Sequence, residues 1–171
     1  NRWFYTIVSF GYFEYYIIPF KNKVQGKIFA LSRETYQEVL DQALIHPGTF
    51  LERLTFFAVT FTGCIENSGL KLCQEWVRNT VDPDLIENED DRGKLAFDMQ
   101  SVAKMLESGI ERGELKSDTP VEVLSHTLID VLYGPMLCWD MSGGTYGFVE
   151  RTEEFCRLFL GAMMAPYMQN L

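Results

Sequence analysis

At 171 residues, with 47% hydrophobic and 14% aromatic content, the chain is too apolar for disorder and long enough for one well-packed domain with a small appendage. A net charge of −9 excludes nucleic-acid binding by the surface at large, because phosphates are repelled. The charge is uneven: residues 1–33 set five basic side chains against Glu14, a net +4, and the remainder carries −13. Any DNA contact is therefore local to the basic, aromatic head.

Within that head, Trp3 to Phe20 is 18 residues with Glu14 the only charge, close to the length of a short membrane span. Four tyrosines, a mid-span carboxylate and Pro19 argue against a span, and no small-residue cleavage site marks a signal peptide. The expectation is a cytoplasmic protein with no membrane segment. Cys64, Cys73, Cys138 and Cys156 form no C-x-x-C pair and have apolar neighbours, which reads as reduced core thiols.

From Lys27 onward the hydrophobic period is helical. Ile28, Phe29, Tyr36, Val39, Leu40, Ala43 and Leu44 make one stripe, ended by His46-Pro47-Gly48. Thr49-Phe-Leu-Glu52 is a capping box that starts a second helix, with Leu51, Leu54, Phe57, Ala58, Phe61 and Ile65 on its apolar face. Ser68-Gly69 is a break. Leu70, Cys73, Trp76 and Val77 follow, closed by Val81-Asp-Pro-Asp84. The acidic run Glu87 to Asp91 lacks the order of a calcium loop and reads as a solvated helix start. Leu95, Met99, Val102, Leu106 and Ile110, with Met105 beside them, predict a long helix ending at Gly113.

Thr119-Pro-Val-Glu122 is the strongest local signal, a capping box with proline at the first helical position. The helix it opens buries Val121, Leu124, Leu128, Val131 and Leu132, with a kink expected at Gly134-Pro135 and a break at Gly143-Gly144. Phe148, Thr152, Phe155, Cys156, Phe159, Leu160 and Met163 form the last stripe. No strand alternation or repeat intervenes, so the fold class is all-α, a multi-helix bundle of six or seven helices.

No catalytic set assembles. His46 and His126 are the only histidines, the first read as exposed and the second as a structural helix residue. G-x-S-x-G, H-E-x-x-H and P-loop patterns are lacking, and Glu153 and Glu154 point apart on a helix. The expectation is no enzyme, no cofactor and no metal.

Val8, Ser9, Gly11, Phe13, Tyr16 and Lys23 match a V-S-x-G-x-[FL]-Y-x-[HY]-F pattern followed by a lysine. In this the chain resembles a TetR-family transcriptional regulator, whose helix-turn-helix commonly ends in that pattern. Ile28 to Leu31, the Glu111-Arg-Gly-Glu-Leu115 turn and the T-P-x-E helix start resemble later elements of the same family. Glu14 and Ile17 depart from the family's tyrosine and phenylalanine, three extra residues including Pro19 precede Phe20, and Val24 to Lys27 runs one residue long. Seven residues before Val8 leave no room for the first two helices of such a head. The resemblance therefore divides the chain into residues 1–26, a remnant of a DNA-binding helix-turn-helix, and residues 27–171, a ligand-binding and dimerisation domain.

For operator DNA, Ser9 and Gly11 are small enough to approach a groove, Tyr12, Tyr15 and Tyr16 offer hydroxyls to phosphates, and Lys21 and Lys23 neutralise them; Glu14 works against this. The resemblance implies a homodimer built through residues 119–141 and 148–165, with Leu128, Leu132, Phe155, Phe159 and Met163 at the interface. It also implies an effector pocket in the middle helices, for which Phe57, Phe61, Trp76, Met99, Met105 and Tyr133 are candidates; such a lining favours a small, largely hydrophobic ligand. Packing within the monomer is the alternative for both sets. The reading is a ligand-responsive repressor, with a helical small-molecule-binding or dimerisation module without DNA binding as the alternative.

Overall fold

The computed structural model describes residues 33–81 and 93–169, and these are helical apart from short connections. The seven DNA-contact candidates, Ser9 to Lys23, and the acidic run Glu87 to Asp91 lie outside the described residues. Among the described residues six helical rods come in chain order: α1 Arg33–Ile45, α2 Phe50–Ser68, α3 Leu70–Val81, α4 Lys94–Glu111, α5 Val121–Met141 and α6 Phe148–Phe155. The last rod continues without interruption through a π-helical turn, Cys156–Leu160, into α7, Gly161–Met164. The expected all-α bundle is what forms.

The capping box at Thr49 forms as its sequence dictates. The Thr49 hydroxyl accepts from the Glu52 amide at 3.3 Å, and the Glu52 carboxylate accepts from the Thr49 amide at 2.6 Å. The Thr49 amide and hydroxyl, both donating to the Glu52 carboxylate, hold that carboxyl below its ordinary range. The helix they start is the centre of the molecule. Eleven of the nineteen α2 residues are buried, Phe50, Phe57, Phe61 and Ile65 among them, and α1, α3 and α6 all pack against it. An amphipathic face was expected here; burial reaches round more of the helix because neighbours cover several sides.

Thr119 behaves differently. Its hydroxyl donates back to the Lys116 carbonyl at 2.6 Å, and α5 begins after Pro120 with no side-chain cap. The same four-residue pattern that capped α2 here closes the preceding turn. α5 then runs unbroken past Pro135 to Met141. By length and composition it could cross a membrane, yet it buries Leu124, Leu128, Ile129, Met136 and Trp139 against the other helices.

Three contacts distant in sequence lock the rods. Gly109 lies so close to Phe50 and Leu115 that a Cβ there would stand 2.7 Å from the Phe50 ring. Arg53, 3% exposed, donates to the Gly48 carbonyl at 2.6 Å and pairs with Glu114 across the α1–α2 and α4–α5 turns. Glu66, near the end of α2, accepts from the Phe148 and Val149 amides at 2.9 and 3.2 Å and so caps α6 from another helix. The chain's C-terminal stretch folds back as well: Lys116 donates its amide to Tyr167 and Gln169 donates to Glu114, both at 2.9 Å. Along α6, the π turn and α7, residues Phe148, Thr152, Cys156, Leu160 and Met164 are buried at every fourth position.

Replacing Glu66 by alanine should cost about 1–2 kcal/mol, read as a lower urea midpoint with unchanged slope, because two first-turn amides lose a charged acceptor. A loss below about 0.3 kcal/mol would show that water replaces the cap.

Candidate functional site

The predicted stripe of α4 is buried at Val102 and Leu106 but not at its start. The spacing Leu95-Met99-Val102-Leu106 suggests the buried face of α4, but Leu95 is 52% exposed. Lys94 and Asp98, at 1% and 0% exposure, occupy the inward positions at the start of the helix instead. Their side chains pair at 2.6 Å, Lys94 Nζ donating to Asp98 Oδ2. On sequence alone an i, i+4 lysine–aspartate pair reads as a solvated surface pair. Here it is in the core.

Aromatic side chains from four helices surround the pair. Lys94 Nζ sits 4.7 Å from the Tyr36 ring centroid (α1) and 5.9 Å from that of Phe61 (α2), both within reach of cation–π attraction. Tyr133 (α5) donates its hydroxyl to Asp98 Oδ2 and lies 3.5 Å from Lys94 Nζ. Trp76 (α3) stacks on Tyr133 with centroids 5.8 Å apart. Tyr36 adds a hydroxyl bond to the Asp98 carbonyl at 3.4 Å and packs edge-on against Phe57 and Phe61. Among the described residues Asp98 Oδ1 has no hydrogen-bond partner.

Burial raises the Asp98 carboxyl above its ordinary value, opposed by Lys94, Tyr133 and Arg33. Burial likewise raises the Tyr36 and Tyr133 hydroxyls, and the Asp98 charge adds to both.

Of the six effector-pocket candidates, Phe61 and Tyr133 meet this pair, Trp76 stacks behind Tyr133 and Phe57 backs it through Tyr36. Met105 is buried and Met99 half-buried against the core. None of the six lines the apolar crevice between α2, α4, α5 and the last rod. That crevice, bordered by Leu54, Val102, Leu128, Leu132, Phe155 and Leu160, holds about 10 Å³, enough for roughly one water. Three of its walls, Leu128, Leu132 and Phe155, are dimer-interface candidates. Leu128 is 4% exposed and packs inside the monomer, whereas Phe159 is 59% exposed and Met163 half-buried.

The remaining sequence candidates are scattered. His46 is half-buried and stacked on Phe56 at 4.4 Å rather than exposed, and His126 faces solvent. Among the described residues no three His, Cys, Asp or Glu side chains gather to hold a metal ion. Cys64, Cys73 and Cys156 are core thiols, but Cys138 is exposed on α5. Burial pushes Cys64 up to about 12 and Cys156 to about 11, and it raises Cys73 with help from Asp140.

Compared with protein-family models, curated proteins and solved structures, the chain matches none.

Two outcomes test this geometry. Asp98→Asn should destabilise the fold by about 3–5 kcal/mol by stranding a buried ammonium, and adding Lys94→Met should recover most of that loss. Equal destabilisation by the single and double variants would remove charge burial as the cause. A maleimide added at neutral pH should modify one thiol quickly, and Cys138→Ser should abolish that fast phase.

Proposed function

We propose that this chain is a ligand-responsive transcriptional regulator of the TetR type, acting as a homodimer on operator DNA and released by a small effector. The observation that carries the reading is the apolar surface of the last two long rods. Val123, Leu137 and Met141 on α5, and Leu158 and Phe159 on the π turn, are all exposed; Met141 reaches 80%. Exposed apolar residues concentrated on two packed helices favour a protein partner. Gly134 and Gly161 have open space where a Cβ would stand, which lets a second helix approach the backbone closely. A self-complementary pairing of these rods gives the two-fold symmetry that a palindromic operator requires.

The other support is the head's resemblance in Val8, Ser9, Gly11, Phe13, Tyr16 and Lys23, together with its net positive charge. Phe159, Leu158 and the half-buried Phe155, Leu132 and Met163 form the dimer face in this reading. Leu128 supports it from within.

Native mass spectrometry at micromolar concentration should show a species at twice the 19.7 kDa chain mass, and Phe159→Glu should return it to the chain mass with unchanged far-UV circular dichroism. A wild-type monomer would sink the homodimer. Duplex DNA should be retained in a salt-dependent manner, and replacing Lys21 and Lys23 with alanine should lower the log–log salt slope by about 2. A dimer that ignores DNA at every salt concentration would leave the alternative, a helical module without DNA binding.

A further inference from the structure

We propose that the cage around Lys94 Nζ is a binding site for a primary alkylammonium, with Lys94 as its built-in occupant. The inference deepens the regulator reading, on which it rests, by giving the effector a positive charge where a largely hydrophobic one was expected.

The cage has the chemistry of ammonium recognition. Two aromatic faces, Tyr36 and Phe61, lie within cation–π distance, and a fully buried carboxylate supplies the counter-charge. The Tyr133 hydroxyl orients that carboxylate by donating to Oδ2, the oxygen that Lys94 also contacts. Among the described residues Asp98 Oδ1 has no hydrogen bond, which is costly for a buried carboxylate oxygen. Lys94 approaches from its own helix, one turn before Asp98, and donates to Oδ2. An untethered ammonium carries three donors and no such restraint, so it can bridge both oxygens. A neutral apolar ligand would displace the lysine and leave the carboxylate without its counter-charge.

Exchange at this site is transmitted to α1. Tyr36 provides both a wall of the cage and a hydroxyl bond to the Asp98 backbone, and α1 is the helix that follows the basic head in the chain. A ligand that repositions Tyr36 therefore acts on α1, the first described helix after the head in chain order. The tethered lysine competes with any free amine for the same carboxylate.

The test begins with wild-type protein. Its Lys94 ammonium resonance, sheltered by burial, is followed by ¹⁵N-edited NMR as n-propylammonium chloride is added, with n-propanol and sodium chloride as controls. Loss of the sheltered signal with the amine alone is the expected result; indifference to the amine, or equal loss with propanol, overturns the proposal. Lys94→Ala removes the atoms that n-propylammonium would replace, so calorimetry should show it binding that amine at least about tenfold tighter than wild type, by removal of the tethered competitor. Lys94→Met, whose thioether fills the same space, should bind neither amine nor alcohol. Amine binding of equal strength in Lys94→Met would also overturn the proposal. None of these measurements uses DNA or a dimer, so their failure is separable from failure of the regulator reading.

Discussion

An ammonium and a carboxylate removed from water together impose a condition on everything packed around them. Each costs several kcal/mol to desolvate, and the loss is offset only where neighbours provide attraction in a fixed geometry. Five helices meet that condition here: Tyr36 from α1, Phe61 from α2, Trp76 behind Tyr133 from α3 and α5, and the Lys94–Asp98 pair itself from α4. The rods are thus referred to one point. A shift of any of them is felt as a change in the solvation of a charge, a larger energy than that of any single apolar contact.

The neighbouring part of the core is held by softer means. Leu54, Val102, Leu128, Phe155 and Leu160 meet around a crevice too small for anything beyond a water, and Gly109 allows the Phe50 and Leu115 side chains to close over α4. Arg53 and Glu66 then tie turns and helix ends together with charge-assisted hydrogen bonds. α5 and the last rod serve two roles in this arrangement. Leu128 and Leu160 belong to the interior, while Met141 and Phe159 on the same rods project into solvent.

What could be read from the sequence followed local rules. The Thr49 cap, the breaks at Gly48, Gly69 and Gly143, and the stripes of α1 and α3 depend on residues within a turn or two of each other, so their pattern is sufficient. The candidates Phe61, Trp76 and Tyr133 were legible as large apolar residues on inward faces. Their common focus was not. Lys94 and Asp98 look like a surface pair because nothing local distinguishes an ion pair in water from one beneath two aromatic rings; that difference is made by residues 33 to 58 positions away on α1 and α2. Thr119 shows the same limit at short range. A threonine hydroxyl has competing partners, and the compact turn after Leu115 presents the Lys116 carbonyl before α5 presents its amides.

The five-residue π turn has a consequence for how the last rod meets the core. Burial at Phe148, Thr152, Cys156, Leu160 and Met164 is a strict period of four. An ideal α-helix turns about 100° per residue, so a four-residue step overshoots by about 40° and the stripe would spiral off the core within a few steps. The wider π turn lowers the rotation per residue between Cys156 and Leu160 and works as a phase correction. It keeps Met164 aimed inward, and with it the antiparallel bridge between Met168 and Leu115. The rod is consequently sensitive to length rather than composition at this point. Loss of one residue between Cys156 and Leu160 would turn everything after it by about a quarter of a circle, whatever side chains remained.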